Sequence, residues 1–285
     1  MHFCKFHGFG NDYIVFETEV LQNIKSLSEF ARQVCNRHYG VGADGIAVIE
    51  KSSDSISDFN ARIFNPDGSE AAFSGNGTRC AVAYLYYKGI WTEENLRLRT
   101  KSGVKTYRLL ETVASGHYWF EAELGKPKFD SESIPILSGG KKLKKVVDYP
   151  VAVGSDILGI TAVNVGNPVA CVFIEDFETL DWREIGREIE IHPLFPQRTN
   201  VVFVKILDSG NIELRIWERG AGETMASGTC SVAAAIASCL KEKTGRRVTV
   251  HSPGGQTDVV WREKDDEMLL TGRADFVFGG VWEMK

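Results

Sequence analysis

The feature that most constrains the fold is an internal repeat at about half the chain length. Residues 62–75 align with residues 215–228 at an offset of 153, without a gap, and the matched positions include Arg62/Arg215, Ile63/Ile216, Glu70/Glu223, Ser74/Ser227 and Gly75/Gly228. At an offset of 156, Gly10-Asn11 matches Gly166-Asn167 and Asp44 falls on Asn200. Three matched segments in the same order indicate a duplicated domain.

Each half shows the same local pattern around its Ser-Gly pair. An alternating strand (61–64 or 212–217) precedes a glycine-rich loop, and a helix of small, mostly apolar residues follows (76–88 or 228–242). A helix that is apolar on nearly every side must be enclosed by other elements, and short apolar strands surround both. We therefore predict an α+β fold with two pseudo-symmetric domains, each a curved β-sheet or barrel around a central helix.

The repeat also predicts where the domains divide. The first domain is expected over residues 1–122 and the second over residues 123–273. Two outer helices are predicted, an amphipathic one over Ile24–Arg37 and one over Trp182–Glu190 capped by Asp181.

Composition limits the function classes. The chain has 33 basic and 38 acidic residues, a net charge of −5 that argues against a general nucleic-acid binder. Its longest nearly apolar run, residues 231–240, is too short to span a bilayer, and the N-terminus lacks a signal-like segment, so we expect a cytoplasmic protein with no membrane partner. The six cysteines form no CxxC pair and no zinc-like spacing, which predicts buried free thiols and no metal site.

The two helix starts suggest a chemistry. The first turn of a helix presents backbone N–H groups without intrahelical acceptors and the positive end of the helix dipole, which together bind a carboxylate or a developing anion. If the two starts face a common cleft, one side chain from each Ser-Gly turn would flank a small carboxylate substrate. That arrangement suits chemistry on two opposite faces of one carbon.

The motifs taken in order resemble those of the diaminopimelate epimerase family along nearly the whole chain. The supporting stretches are His7-Gly-Phe-Gly-Asn-Asp-Tyr13, Gly40-Val-Gly-Ala-Asp-Gly45, Asn65-Pro-Asp-Gly-Ser-Glu70, Ser74-Gly-Asn-Gly-Thr-Arg-Cys80, Gly166-Asn-Pro168, Arg198-Thr-Asn200 and Glu218-Arg-Gly-Ala-Gly-Glu-Thr224. The resemblance implies a cofactor-independent enzyme that interconverts LL- and meso-diaminopimelate for lysine and cell-wall synthesis. It also implies that a C-terminal strand within residues 274–285 returns to the first domain, and it leaves a homodimer open.

The resemblance implies a set of substrate-binding positions. They are Asn11, Asn65, Gly75, Asn76, Asn167, Asn200, Glu218, Arg219, Gly228 and Thr229. The side chains in this set would hold the distal amino-acid group and the reacting ammonium, and Arg219 suits a bidentate carboxylate contact. The backbone N–H groups at Gly75-Asn76 and Gly228-Thr229 would bind the α-carboxylate.

The sequence departs from the family pattern at the reacting positions. The two catalytic cysteines of the family fall on Ser74 and Ser227, and the histidine usual after Gly-Asn-Pro falls on Val169. A hydroxyl is a much weaker acid than a thiol and needs an adjacent base to act. We therefore expect the two serines to orient the substrate well and to transfer its α-proton slowly, with Glu218 as a further catalytic candidate.

Several explanations of the serines stay open. The chain could be an engineered double Cys→Ser form, a divergent epimerase in which another group supplies the base, or a non-catalytic paralogue that binds an amino acid. Phenazine-biosynthesis isomerases resemble this fold and use an acidic side chain for proton transfer, a role that Asp44 or Glu218 could take here. A pyridoxal enzyme has no supporting feature in the sequence.

Overall fold

The structure is a computed structural model that describes residues 1–283 of the 285-residue chain. The chain divides into an N-terminal unit, Met1–Glu123 together with Thr271–Lys285, and a C-terminal unit, Leu124–Leu270. The division at Glu123/Leu124 lies one residue after the expected boundary at 122/123. The expected terminal segment, 274–285, includes residues 284 and 285, which lie outside the described residues.

The N-terminal unit is mostly strand. Its strands are β1 (His2–Gly8), β2 (Asn11–Glu17), β3 (Gly45–Lys51), β4 (Phe59–Phe64), β5 (Glu70–Ala71), β6 (Asn95–Thr100), β7 (Gly103–Ala114) and β8 (His117–Glu123). Its α-helices are α1 (Leu27–Val34) and α2 (Gly75–Tyr87), and a short 3-10 helix covers Thr18–Leu21.

The C-terminal unit repeats this order after one additional strand at its start. Its strands are β9 (Val146–Val153), β10 (Asp156–Asn164), β11 (Pro168–Phe173), β12 (Asn200–Asp208), β13 (Asn211–Glu218), β14 (Gly222–Thr224), β15 (Arg247–Ser252) and β16 (Gly255–Trp261). Its helices are α3 (Trp182–Glu190), α4 (Gly228–Leu240) and a 3-10 helix over Phe177–Thr179. The last strand, β17 (Met268–Val281), begins in the C-terminal unit and ends in the N-terminal one.

Eight strands of the N-terminal unit form a closed ring around α2. The pairings run β1–β2–β3–β4–β6–β7–β8–β17 and return to β1, with β2–β3 and β4–β6 parallel. In α2, residues 75–85 are all buried, and the helix contacts β1, β2, β3, β4, β6 and β8. The small residues of α2 allow the strands to approach it from every side.

The C-terminal unit shows the same arrangement around α4. Strands pair in the order β9–β10–β11–β12–β13–β15–β16, and β11–β12 and β13–β15 are the parallel pairs. Residues 229–238 of α4 are buried. The duplicated α+β fold predicted from the sequence, with a sheet curved around a central helix in each half, is confirmed.

The two central helices lie close to their predicted bounds: α2 begins and ends one residue before 76–88, and α4 ends two residues before 242. The predicted outer helix 24–37 is wrong at both ends, because α1 covers only Leu27–Val34. Ser26 caps its start by accepting a hydrogen bond from the Glu29 N–H, and the Asn36 side chain accepts the N–H groups of His38 and Tyr39 in a turn just after its end. The Trp182–Glu190 helix and its Asp181 cap are confirmed. Within residues 1–283, no helix is long and apolar enough to cross a membrane.

Candidate active site

Ser74 occupies the N-cap position of α2. Its backbone is extended (φ −138°, ψ 120°), and its Oγ accepts a hydrogen bond of 3.1 Å from the Gly77 N–H. The Tyr13 hydroxyl lies 2.9 Å from the same Oγ. The N–H groups of Gly75 and Asn76 follow in the first turn, where a helix offers no intrahelical acceptor. This helix start therefore combines a hydroxyl with an anion-binding turn.

Two of the predicted asparagines lie beside this helix start in a directed chain of hydrogen bonds. The buried Arg79 guanidinium donates to Asn76 Oδ1, Asn76 Nδ2 donates to Asn11 Oδ1 (3.1 Å), and Asn11 Nδ2 donates to Asp44 Oδ2 (2.9 Å). Because a guanidinium only donates and a carboxylate only accepts, the chain has one direction and both amide groups are held in one orientation. Each amide nitrogen donates one of its two N–H groups to this chain of hydrogen bonds.

Arg79 is a functional candidate that the sequence reasoning missed. It is 2% exposed, and burial lowers the pKa of its guanidinium. Its Nε donates to the Arg273 carbonyl (2.9 Å), its Nη1 has no hydrogen-bond partner, and no carboxylate within residues 1–283 forms an ion pair with it. The signal in the sequence was that Arg79 is the one charged residue within Gly75–Tyr87. The result is a buried positive charge one turn from the Ser74 helix start.

Asp44 forms an ion pair with Arg37 and accepts two further hydrogen bonds. It accepts from Arg37 Nη2 (2.7 Å), from Asn11 and from the Asp12 N–H (3.1 Å). Neighbouring Asp12 pairs with Lys5 Nζ at 2.7 Å and with Arg37. Burial acts to raise the pKa of Asp12, but the hydrogen bonds from Arg37 and Lys5 outweigh it and hold that pKa below its usual value. These contacts favour a positioning role for Asp44 over the general-base role.

Asn65 lies apart from this network in the residues described. Its side-chain amide donates to Ser69 Oγ (2.9 Å), and its backbone N–H donates to the Ser69 carbonyl. The residue closes its own glycine-containing loop, which is a common use of asparagine in turns.

Ser227 begins α4 with nearly the same backbone (φ −143°, ψ 120°) but without a capping hydrogen bond. Its Oγ lies 3.4 Å from Thr229 Oγ1. The nearby Cys230 thiol is fully buried, and burial raises its pKa well above the usual value. A hydrogen bond with Ser227 offsets only part of this increase. Cys80 is likewise fully buried, with a pKa raised to about 12 by burial. Neither thiol is a ready proton acceptor at neutral pH.

The predicted asparagines of the C-terminal unit hold its loops. Asn200 Oδ1 accepts the Arg219 N–H (2.9 Å) and Asn200 Nδ2 donates to the Pro168 carbonyl (3.3 Å). Asn167 Nδ2 donates to Thr229 Oγ1 (3.3 Å), while its buried Oδ1 has no partner. An unpartnered buried carbonyl oxygen is costly, so Asn167 offers an acceptor to a ligand that carries an N–H group.

Glu218 is the last residue of β13, and Arg219 follows it in the next turn. Thr224 Oγ1 donates to Glu218 Oε1 (3.1 Å), and Arg219 Nη1 donates to the Gln197 carbonyl (2.9 Å). The buried carboxylate of Glu190, which the sequence analysis did not single out, supports the turn after β13. It accepts hydrogen bonds from the Gly220 N–H (2.9 Å) and from Trp217 Nε1 (2.8 Å). Its only sequence signal was its place at the end of an amphipathic helix.

The structure thus gathers the predicted residues in two groups. The N-terminal group contains Asn11, Ser74, Gly75 and Asn76, and the C-terminal group contains Asn167, Asn200, Glu218, Arg219, Ser227, Gly228 and Thr229. Each group combines a hydroxyl, a helix start and oriented amides. The helix starts offer backbone N–H groups to an anion, and the unpartnered Asn167 Oδ1 offers an acceptor to an N–H group. Within residues 1–283, no cluster of three or more His, Cys, Asp or Glu side chains is arranged to hold a metal ion.

Comparisons with known proteins identify the family. A family model described as diaminopimelate epimerase matches residues 3–129 and 161–277. The diaminopimelate epimerase of Pelotomaculum thermopropionicum is 40% identical over 99% of this chain and 99% of its own, and that of Moorella thermoacetica is 38% identical over 98% of each.

Solved structures with the same fold are more distant. A probable proline racemase from Agrobacterium radiobacter has a TM-score of 0.73 at 14% identity and covers 100% of this chain and 93% of its own. A hydroxyproline epimerase from Agrobacterium vitis has a TM-score of 0.70 at 16% identity, with coverage of 98% and 91%. A phenazine biosynthesis protein from Bacillus anthracis has a TM-score of 0.67 at 15% identity and covers 98% of each chain. These likenesses concern the fold alone.

Proposed function

The chain belongs to the diaminopimelate epimerase family, and on that premise we propose that it is a cofactor-independent epimerase acting on diaminopimelate. The observation that carries the proposal is similarity over nearly the full length to proteins of that name. The reaction removes the α-proton of one stereoisomer from one face of the carbon and delivers a proton from the other face. Its products would serve lysine and peptidoglycan synthesis.

The residues support distinct roles in that reaction. The N–H groups at the starts of α2 and α4 suit the α-carboxylate, whose negative charge grows as the proton leaves. Asn11 and Asn76 present oriented N–H donors, and the free Oδ1 of Asn167 suits an ammonium group. Arg219 would bind the distal carboxylate.

We further propose that the protein acts in the cytoplasm and that its substrate is a free amino acid. The net charge of −5 supports the exclusion of nucleic acid, and assembly as a homodimer stays a prediction. The two expected domains would each supply one proton-transfer position, Ser74 and Ser227.

Serine in place of cysteine sets the expected rate. A serine hydroxyl is far less acidic than a thiol, so neither Ser74 nor Ser227 supplies an anion at neutral pH. We therefore expect the chain to bind diaminopimelate and to exchange its α-proton slowly. This is the main chemical difference from a family member with two catalytic cysteines.

The test is deuterium uptake at the α-carbon in heavy water, read by NMR. We expect Ser74→Cys/Ser227→Cys to raise the exchange rate by several orders of magnitude, with each tenfold gain corresponding to about 1.4 kcal/mol of barrier. Each single restoration should help much less, because inversion needs a donor on the face opposite the base.

Two outcomes would contradict the proposal. The first is fast α-proton exchange by the chain with both serines, if Asp44→Asn or Glu218→Gln abolishes it. That result would assign the role of general base to a carboxylate instead of a serine. Tight binding of diaminopimelate without exchange, even after both cysteines are restored, would mean a binding protein. Calorimetric titration of the native chain with diaminopimelate and with histidine provides the matched measure of ligand choice.

A further inference from the structure

The Tyr13 hydroxyl lies against the hydroxyl of Ser74, at 2.9 Å. We propose that Tyr13 is a positioning residue that allows Ser74 Oγ to act both as proton acceptor and as proton donor. The inference rests on the proposed function, since an epimerase requires each proton-transfer position to accept in one direction and to donate in the other.

The hydrogen-bond capacity of Ser74 carries the argument. A serine hydroxyl has one O–H to donate and two lone pairs to accept with. The Gly77 N–H, which can only donate, occupies one lone pair at 3.1 Å. If Tyr13 donates to Ser74, both lone pairs are filled and the Ser74 O–H is free to point at a ligand. If Ser74 donates to Tyr13, one lone pair of Ser74 remains open and Oγ is an acceptor.

The two states therefore differ only in the positions of hydroxyl protons. In the accepting state, Ser74 Oγ takes the α-proton while its own proton passes to the Tyr13 oxygen and the Tyr13 proton leaves to solvent or to a neighbouring acceptor. The donating state is reached by the reverse transfers. No heavy atom has to move, which keeps the reacting oxygen at a constant distance from the bound carbon.

Packing holds the Tyr13 ring in place for this role. The residue is 5% exposed. A Cβ built on Gly45 would lie 2.6 Å from Tyr13 Cε1, and one built on Gly77 would lie 2.8 Å from the same atom. Both positions must therefore be glycine for the ring to lie between β3 and α2. The ring fills the space on both sides, so its hydroxyl stays directed at Ser74.

The repeat makes the two serine positions inequivalent. At the offset that pairs Asn11 with Asn167, Tyr13 falls on Val169, which has no hydroxyl. Ser227 also lacks the capping hydrogen bond that Ser74 receives. Ser227 has a different hydroxyl neighbour, Thr229 Oγ1 at 3.4 Å. The pairing of the serine with a tyrosine hydroxyl is thus found at Ser74 and not at Ser227.

The test measures the reactivity of a thiol placed at position 74, and it therefore needs no substrate. In the Ser74→Cys variant, the Tyr13 O–H would donate to the thiolate and stabilise it. Adding Tyr13→Phe removes that one oxygen and keeps the ring. We expect the alkylation of the thiol at position 74 by iodoacetamide at pH 7 to slow about tenfold, with the midpoint of its pH profile about one unit higher.

The matched control is Tyr84→Phe in the same Ser74→Cys chain. It removes another buried phenol hydroxyl, which donates to Glu17 Oε1 at 2.6 Å, from the same unit. It should leave the alkylation profile unchanged. Trypsin cleavage after Arg79 separates position 74, on the peptide 63–79, from Cys80, so mass spectrometry reads the two thiols independently.

The outcomes separate this inference from the proposed function. An identical pH profile with and without the Tyr13 hydroxyl, in variants with native circular dichroism, would overturn it. The alkylation profile could shift while the Ser74→Cys/Ser227→Cys chain fails to exchange the α-proton of diaminopimelate. That result would support the role of Tyr13 beside position 74 and reject the proposed epimerase activity. If both hold, Tyr13→Phe in the doubly restored chain should lower kcat about tenfold while KM stays within about twofold.

Discussion

Gly77 occupies the first turn of α2, where a side chain would meet the Tyr13 ring. Helix propensity alone favours alanine over glycine there by about 1 kcal/mol. The close approach of the ring reverses this preference, because a Cβ at 2.8 Å from an aromatic carbon forces the ring or the helix to shift. At this position the geometry of the site outweighs the local preference of the helix.

We expect Gly77→Ala to lower the free energy of unfolding by about 1–3 kcal/mol, the usual cost of overpacking. The shift of the ring should also move the Tyr13 hydroxyl away from Ser74. Urea denaturation followed by circular dichroism measures the first effect. Gly245→Ala is the control, since a Cβ there meets no atom within 4 Å. An increase in stability for Gly77→Ala would show that the ring has room to spare.

The last residue of α3 shows how an element supports the site. Glu190 is 6% exposed and places a carboxylate at the C-terminal end of the helix, where the helix dipole disfavours negative charge. Three donors compensate for this: the Trp217 indole, the Gly220 N–H and Arg198 Nη1 at 3.2 Å. Two of them belong to β13 and the turn after it, so α3 fixes the turn that carries Glu218 and Arg219.

We expect Glu190→Ala to lower the free energy of unfolding by about 3–5 kcal/mol, because it leaves buried donors without an acceptor. Glu190→Gln should cost less, since one oxygen remains to accept. Glu188→Ala, on the same helix, serves as the control and should change stability by less than about 1 kcal/mol. Thermal denaturation of the four proteins checks the order, and equal losses for the Ala and Gln variants would argue against the hydrogen-bonding role.

For the molecule as a whole, paired carboxylates determine the response to acid. Burial would raise the pKa of Asp12, yet its hydrogen bonds with Arg37 and Lys5 hold it below the usual range. The hydrogen bond from Arg62 lowers the pKa of Glu70 to about 2. A carboxyl group with a lowered pKa in the folded protein stabilises it above the unfolded pKa of about 4, and this stability is lost as the pH falls through the folded pKa.

We therefore expect the native chain to lose stability steadily below about pH 4. Asp12→Asn should be less stable than the native chain at pH 7, and the difference should shrink as the pH falls towards 2. Urea unfolding at pH 7, 4 and 3 measures both curves. A difference that stays constant with pH would mean that Asp12 contributes through packing and neutral hydrogen bonds only.

Much of the fold was predictable because it depends on local pattern. The repeat at an offset of 153, the alternating strands and the two apolar helices specify two sheets, each enclosing a helix. The Asp181 cap was predictable for the same reason, since a cap acts within one turn. The predicted length of α1 was wrong at both ends, because the Ser26 cap starts the helix later, and the Asn36 turn stops it earlier, than the apolar period suggests.

The family, the two Ser-Gly turns and the asparagines near them were thus determined by the sequence alone, because they are contiguous motifs. Only the tertiary structure could decide which side chains meet across long separations. It paired Tyr13 with Ser74, 61 residues apart, and joined Asn11 to Asn76 across 65 residues. It also showed that Asn65 bonds within its own turn. Arg79 is buried and forms no ion pair with a carboxylate within residues 1–283. Such contacts depend on how strands and helices pack in three dimensions, and no local period or propensity in the chain encodes them.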